Sequence, residues 1–133
     1  MILVDTSVWI DFFNHSKSKH ALILSHLIKT EEEICLADIH LTEILQGIFI
    51  EKNFQEIHEY LLLFPILRPK SLQTYIQAAQ LSIKCRLHGT PVLKTVDTLI
   101  AAIAIEHHVR LLHNDKDFVT ISKISHLKRY LDE

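Results

Sequence analysis

The chain opens with Met1-Ile2-Leu3-Val4-Asp5-Thr6-Ser7-Val8-Trp9-Ile10-Asp11, and this stretch decides its fold. A short apolar run that stops at Asp5 is typical of a strand covered on both faces of a parallel sheet. Thr6 or Ser7 is then expected to cap the next helix by accepting a backbone N–H bond. These residues predict Asp5 at the carboxyl end of a central strand, where open α/β sheets bind their ligands. The alternative is that Asp5 only helps to turn the chain.

Short apolar runs and helical periodicities alternate along the rest of the sequence. Further strands are predicted at 34–37, 64–67 and 109–112, with a short fifth strand at 123–127. Helices are predicted at 8–13, 20–29, 39–48, 54–63, 71–87 and 97–105, and Asp38 is the expected cap of the third. Because strands alternate with helices, the pattern predicts an α/β fold with a parallel sheet between two layers of helices. At 133 residues, a single domain spanning 1–133 is expected.

Composition restricts the classes of function. Apolar residues make up 48% of the chain, which argues against a disordered protein. The 14 basic and 16 acidic residues give an isoelectric point near 6.5, which argues against a generally basic nucleic-acid binder. Contact with a polyanion therefore needs a local patch or a bound cation. The candidates for phosphate contact are Lys17, Lys19, Arg86, Lys94 and Lys116, although ordinary surface charge explains most of them.

The sequence indicates a cytoplasmic protein. The N-terminal apolar run has no basic residues before it and contains Asp5, so no signal peptide is expected. No apolar stretch is long enough to span a bilayer, so no membrane partner is predicted. Cys35 and Cys85 are expected to be free, buried thiols, as is usual in a reducing compartment. No spacing of cysteines or histidines resembles a zinc site.

Four acids occupy positions at which their side chains can meet. Asp5 and Asp115 follow predicted strands, Asp97 begins an apolar helix, and Glu43 lies beside the apolar stripe of another helix. The carboxyl ends of parallel strands share one edge, so these acids can converge there. Close carboxylates repel one another, and a hard divalent cation such as Mg²⁺ or Mn²⁺ relieves that repulsion. Such a cation can activate water and orient a phosphodiester. Taken singly, each acid also fits a turn, a helix cap or a solvated surface.

The motifs around these acids resemble those of PIN-domain ribonucleases, in particular the VapC-type toxins of bacterial toxin–antitoxin pairs. Residues 3–11 resemble the opening of that family, 97–102 its third acidic motif and 111–118 its fourth. Glu43, followed by Ile44-Leu45-Gln46-Gly47, falls where the second acid of the family is expected. The resemblance covers nearly the whole chain.

The resemblance implies a three-layer α/β/α sandwich with a parallel sheet of four to five strands, and an endoribonuclease that depends on Mg²⁺ or Mn²⁺. It implies that Asp5, Glu43, Asp97 and Asp115 are catalytic. Asp5, Asp97 and Asp115 would be the metal ligands, while Glu43 would orient water or join a second metal. Thr6 is expected to hydrogen-bond near the metal. The implied partners are an RNA substrate, an antitoxin that lays a peptide across the active-site groove, and a second copy of the chain in a homodimer.

The roles of several neighbouring residues stay open at this point. His113 stands where the family often has a small hydroxyl residue, and it either remains outside the site or alters metal or substrate contact. Asp117 either assists Asp115 or substitutes for it. An aromatic cluster at Trp9, Phe12 and Phe13 is either core or a docking place for an antitoxin helix. Core is favoured, because aromatic side chains bury large areas.

Other acidic α/β proteins fit the sequence less well. A phospho-accepting receiver domain would need an aspartate after the third strand, where the chain has Arg68 and Pro69. A haloacid-type phosphatase would need an aspartate at position 7, which is Ser7. The remaining alternative is a catalytically weak PIN-type module that only binds RNA or protein. The presence of all four acids counts against it.

Overall fold

The structure is a computed structural model, which describes residues 1–47, 53–90 and 93–131. The strands within these ranges are β1 (Ile2–Val4), β2 (Ile34–Ala37), β3 (Ile66–Leu67) and β4 (Arg110–Leu112). The helices are α1 (Thr6–Phe13), α2 (Lys19–Lys29), α3 (Asp38–Gln46), α4 (Phe54–Leu61), α5 (Leu72–Leu87), α6 (Thr95–Glu106) and α7 (Lys116–Ile124). Ile48, the last residue of the third predicted helix, lies outside the described residues.

The four strands form one parallel sheet in the order β3-β2-β1-β4. The first strand lies inside this sheet, where Ile2 pairs with Ile34 of β2 and Val4 pairs with Leu112 of β4. Because all strands run in the same direction, their carboxyl ends form a single edge. The predicted parallel sheet is confirmed, and β1 is one of its two inner strands.

Both faces of the sheet are buried under helices. Leu3 and Leu111 pack into a core cluster that includes residues of α5, α6 and α7. Their neighbours Val4 and Leu112 pack into a second cluster with residues of α1, α2, α3 and α4. Successive strand residues point to opposite sides, so one short apolar run supplies both layers. The predicted three-layer sandwich is therefore confirmed, and the run before Asp5 contributes to both cores.

The predicted strand at 123–127 is wrong. Residues 116–124 form α7, and Asp115 caps this helix by accepting a hydrogen bond from the backbone N–H of Asp117. Phe118 and Ile121 are buried three residues apart, which is the spacing of a helix that packs along one side. A parallel bridge between Leu111 and Arg129 follows the helix, so the described sheet has four named strands.

Two predicted helix caps are also wrong. The cap of α1 is Asp5 rather than Thr6 or Ser7, because the Asp5 carboxylate accepts a bond from the backbone N–H of Ser7. The cap of α3 is Ala37, and Asp38 is the first helical residue. Both caps lie at the end of a strand, because Asp5 directly follows β1 and Ala37 is the last residue of β2.

The structure also describes the two cysteines and the lengths of the helices. Cys35 and Cys85 are free and buried, as expected. Among the described helices, none combines the length and the apolar composition needed to cross a bilayer.

Candidate metal centre

The carboxyl edge of the sheet holds the four acids that the sequence singles out. Asp5 follows β1, and its backbone N–H donates to the carbonyl oxygen of Leu112 at 2.9 Å, which keeps the ends of β1 and β4 side by side. Asp115 lies three residues beyond β4, and Glu43 lies on α3, which begins where β2 ends. Asp97 lies in the first turn of α6. The ends of the strands and both layers of helices thus supply carboxylates to one edge of the sheet.

Hydrogen bonds hold the Asp5 carboxylate at both oxygens. Its Oδ1 lies 3.1 Å from Nε2 of His40, and its Oδ2 accepts a bond of 3.0 Å from the hydroxyl of Ser7. Burial works to raise the pKa of Asp5, but the hydrogen bonds from His40 and Ser7 outweigh it and leave the pKa below the usual value. Asp5 is therefore ionised and fixed in orientation.

The Glu43 carboxylate is held by the residue that follows Asp5. The hydroxyl of Thr6 donates to Oε1 of Glu43 at 2.9 Å, across 37 positions of sequence. Glu43 is half-buried, so this bond restrains a side chain that water would otherwise leave free to rotate. Thr6 thus contacts one of the four acids, and its expected position near the metal stays a prediction.

Asp97 lies in the least favourable electrostatic environment of the four acids. Its side chain is 7% exposed, and Oδ2 is buried with no hydrogen-bond partner in the described part of the chain. Burial, followed by repulsion from Asp115, Asp5 and Asp117, raises the pKa of Asp97 to about 7, against the attraction of Lys94. A buried carboxylate oxygen without a partner is costly, and a cation placed there would remove the cost.

Asp115 and Asp117 stand together at the start of α7. The backbone N–H of Asp117 donates to Oδ1 of Asp115 at 2.9 Å, and both side chains are half-buried. The imidazole of His113 accepts the Asp115 backbone N–H at Nδ1, over 3.1 Å, and its ring packs on Phe118. Burial, with the nearby charge of Arg129, lowers the pKa of His113. His113 is thus a buried strand-end residue that braces the Asp115 turn.

The ligand atoms of the site form two adjacent groups. Those of Asp5, His40 and Glu43 lie within 4.8 Å of one another, and so do those of Asp97, Asp115 and Asp117. Asp5 and Asp97 fall in different groups, but the charge of Asp5 acts on Asp97, so the groups are neighbours. Carboxylate oxygens are the donors that Mg²⁺ and Mn²⁺ prefer, and the orphaned oxygen of Asp97 lacks only such a partner. These residues fit a hard divalent cation.

His40 is the residue at this site that the sequence did not single out. It is fully buried on α3, three positions before Glu43, so both side chains lie on the same side of that helix. That spacing was a usable signal, because a histidine facing the same way as a candidate catalytic acid is a candidate partner. The tertiary contact with Asp5, 35 positions away, was not visible in the sequence.

The structure separates the basic residues that the sequence groups together. Lys19 and Lys116 line one groove of about 240 Å³, together with His20, Asp115 and Arg129. This groove adjoins the acids through Asp115. The other three candidates lie outside this groove: Lys17 precedes α2, and Arg86 lines a groove between α5 and α6. Lys94 caps α6, and its charge acts on Asp97.

The aromatic residues divide between core and surface. Trp9 is fully buried and stacks on Phe13, with ring centres 5.7 Å apart. Phe12 and Phe13 are half-buried and line a groove of about 550 Å³ between α1 and α4, which Tyr60 and Ile57 complete. Core is thus the correct interpretation for Trp9, whereas its two aromatic neighbours also border an open groove.

Helix α5 carries the largest row of exposed apolar side chains on one described helix. The members of this row lie three, four, seven or eleven residues from another member and are Leu72, Tyr75, Ile76, Ile83 and Leu87. Such spacing places them along one side of a helix. Helix α5 packs on α6, and Tyr75 and Ile83 of the row also line the groove between the two helices.

Comparisons with known proteins agree with this architecture. The model of the PIN domain family matches residues 2–124. A VapC ribonuclease of Mycobacterium bovis and the ribonuclease VapC11 of Mycobacterium tuberculosis are each 31% identical over 129 residues, which is 96% of both chains. The solved structure of FitAcB from Neisseria gonorrhoeae is similar with a TM-score of 0.75, at 22% identity over 98% of this chain and 96% of that one. VapBC2 from Rickettsia felis, bound to a DNA fragment from its promoter, gives a TM-score of 0.73 at 20% identity over 98% of both chains.

Proposed function

Because the chain belongs to the PIN domain family, we propose that it is a single-domain endoribonuclease that depends on Mg²⁺ or Mn²⁺ and acts as the toxin of a toxin–antitoxin pair. The relatives named as VapC ribonucleases share nearly its full length, which supports an RNA-cleaving activity. The observation that carries the proposal is the group of Asp97, Asp115 and Asp117, with an oxygen of Asp97 buried and unsatisfied and the charge of Asp5 acting on Asp97.

In this proposal Asp5, Asp97 and Asp115 hold the cation, and Glu43 completes the catalytic set. When bound, the cation supplies charge stabilisation to a phosphodiester and makes water more acidic. His40 and Ser7 keep the Asp5 carboxylate turned in one direction. The Thr6 hydroxyl donates a hydrogen bond to Oε1 of Glu43. We expect the other carboxylate oxygen of Glu43 to orient the attacking water. Asp117 would assist Asp115, because its backbone N–H fixes one oxygen of that side chain.

The groove with Lys19 and Lys116 is the proposed path for the RNA backbone. The chain as a whole has a net charge of −2, so RNA has no general attraction to it. Local cations beside Asp115 would hold phosphates next to the acids and offset that unfavourable charge. Among the five basic candidates, the groove position favours these two lysines.

The proposed protein partner is an antitoxin that contacts the groove between α1 and α4. The solved relatives include a structure described as a toxin–antitoxin complex from Klebsiella pneumoniae, similar at a TM-score of 0.69 and 22% identity. The half-buried rings of Phe12 and Phe13 offer an apolar floor for a helix of such a partner. A pull-down with the small protein encoded beside this one, repeated with Phe13→Ala, tests the assignment. Equal capture by the variant would exclude this groove.

The second proposed partner is another copy of the chain. A homodimer would cover the exposed apolar row on α5, which is an unusual surface for a protein that remains alone. This face is distinct from the groove between α1 and α4, so the two partners would not compete for the same residues.

The nuclease assignment is tested with purified protein and RNA. With Mn²⁺ the wild-type protein should cut RNA, whereas Asp5→Asn and Asp97→Asn should lower the rate by at least about 100-fold, because each removes a charged oxygen at the cation. Thr120→Ala, an exposed-side change on α7, serves as a control for handling and purity. Full activity in excess chelator would contradict the metal-dependent mechanism. Binding of RNA without cleavage at any metal concentration would favour the weak binding module instead.

A further inference from the structure

We propose that His40 is a positioning residue that fixes the Asp5 carboxylate for cation binding, and that it is not itself a metal ligand. The inference rests on the proposed function, because it concerns how this chain prepares the proposed cation site. Its basis is the contact between a fully buried imidazole on α3 and the acid that follows β1.

Both ring nitrogens of His40 are engaged by neighbours. The backbone N–H of Ala37 donates to Nδ1 at 3.0 Å, and Nε2 lies 3.1 Å from Oδ1 of Asp5. The residue is 0% exposed, so water does not compete for either nitrogen. A buried polar ring with both positions filled has one preferred orientation.

The bond from Ala37 decides which nitrogen carries the proton. A nitrogen that accepts an N–H bond has no hydrogen of its own, so in the neutral ring the proton is on Nε2. Nε2 therefore donates to Asp5, which is the only role open to it in that tautomer. A protonated Nε2 has no lone pair for a cation. The possible metal ligands near Asp5 thus include the carboxylates but exclude the imidazole. This holds although a ring nitrogen of His40 lies within 4.8 Å of carboxylate oxygens of Asp5 and Glu43.

The same ring also connects two neighbouring strand ends. Ala37 ends β2 and caps α3, while Asp5 follows β1, and the two strands pair directly. His40 spans this junction, so a shift of α3 relative to β1 would break one of its two bonds. Together with the Ser7 hydroxyl on Oδ2, the imidazole leaves the Asp5 carboxylate one orientation. Such support of a ligand by a buried neighbour is typically worth about 10- to 100-fold in metal affinity.

The test measures Mn²⁺ affinity directly, by electron paramagnetic resonance titration of the free ion, for wild type, His40→Leu and His40→Gln. Leucine can neither donate to Asp5 nor accept from Ala37. Glutamine supplies an amide N–H for Asp5, and at this third helical position its carbonyl can accept the Ala37 N–H in the manner of a capping box. The control is Thr74→Val, which removes the 2.7 Å hydrogen bond from the buried Thr74 to the carboxylate of Glu106, outside the acidic edge.

Positioning predicts that His40→Leu weakens Mn²⁺ binding by about 10- to 100-fold, that His40→Gln stays within about threefold of wild type, and that Thr74→Val is unchanged. Circular dichroism establishes that each protein is folded. If His40→Leu does not fold, the glutamine variant decides, because a lost ligand would weaken Mn²⁺ binding as much in that variant as in leucine. Wild-type affinity in folded His40→Leu, or loss in His40→Gln, would overturn the inference. Failure of the wild-type protein to bind Mn²⁺ would overturn the proposed function as well.

Discussion

At the scale of single residues, similar acids of the site lie in different environments. Asp5 accepts bonds from His40 and Ser7 and is held ionised, whereas Asp97 is buried beside other carboxylates without a hydrogen-bond donor on Oδ2. Burial together with its acidic neighbours raises the pKa of Asp97 to about 7. This contrast is typical of a functional site, where charge is arranged for a ligand rather than for stability.

Asp97 should therefore make the metal-free protein less stable as pH rises. Its pKa is about 7 in the folded chain and near 3.8 when unfolded, so the folded state binds the proton more tightly between these values. The stability that this proton contributes is present below about pH 4 and is lost as pH rises through 7. In chelator, Asp97→Asn should match wild type near pH 4 and exceed its Tm by about 3 °C or more at pH 8, which corresponds to at least about 1 kcal/mol.

The comparison with Asp97→Asn is needed because His113 acts in the opposite direction. Burial lowers the pKa of His113, so its contribution to stability grows as pH rises through its unfolded value. That contribution is the same in both proteins and cancels in the difference between their melting temperatures. A difference in Tm that stays constant from pH 4 to pH 8 would contradict the raised pKa.

Local motifs determine which residues of the site could be predicted from the sequence. Asp5, Asp97 and Asp115 stand in recognisable local motifs, so the sequence was sufficient to propose them as site residues. The spacing of His40 and Glu43 showed that both lie on one side of a helix, but the contact of His40 with Asp5 spans 35 positions and was not visible in the sequence. The unsatisfied oxygen of Asp97 also exists only in the packed chain, because it results from burial rather than from the residue type.

At the scale of elements, strands were predicted well where burial on both faces left a continuous apolar run. The runs before Asp5 and after Glu33 became β1 and β2. The error came at 123–127, where apolar residues of α7 and of the segment after it were combined into one strand. The cap at Asp115 and the buried pair Phe118 and Ile121 show the helical spacing that was missed. The acidic motif and the helix start coincide, because Asp115 is both a candidate site residue and the cap of α7.

The starts of α2 and α7 should contribute to RNA affinity through Lys19 and Lys116, their first residues. In the inactive Asp97→Asn background, Lys116→Gln and Lys19→Gln should each weaken binding of a single-stranded oligonucleotide. Each lost phosphate contact should also reduce the slope of log affinity against log salt by about 0.7. Lys29→Gln is the matched control, because Lys29 is exposed at the opposite end of α2. Salt slopes that are unchanged in both groove variants would show that the RNA takes another path.

At the scale of the whole molecule, the sandwich buries its two inner strands and presents three features at its surface. The sheet edge collects the acids, the groove between α1 and α4 is bordered by aromatic side chains, and α5 exposes an apolar row. The sequence predicted the layers, since strands alternate with helices along the chain. It could not show which apolar helical residues remain exposed, because that depends on which side of each helix meets the core.

The apolar row on α5 should control the oligomeric state. We expect wild type to be dimeric at micromolar concentration in sedimentation equilibrium, and Ile83→Glu to be monomeric, because a carboxylate in a closed apolar interface lacks a partner. Leu63→Glu changes an equally apolar and more exposed residue away from α5, and it should leave the dimer intact. A monomeric wild-type protein, or dissociation by the Leu63 variant alone, would exclude this face.

The most direct test of the central claim is to locate the ion by anomalous diffraction from crystals grown with Mn²⁺. We expect a manganese peak at the carboxyl edge of the sheet, within about 2.0–2.3 Å of oxygens from Asp97 and from Asp5 or Asp115. The peak should vanish in Asp97→Asn crystals grown in the same way. Manganese bound elsewhere, or Asp5 and Asp97 turned away from each other with no ion between them, would contradict the account.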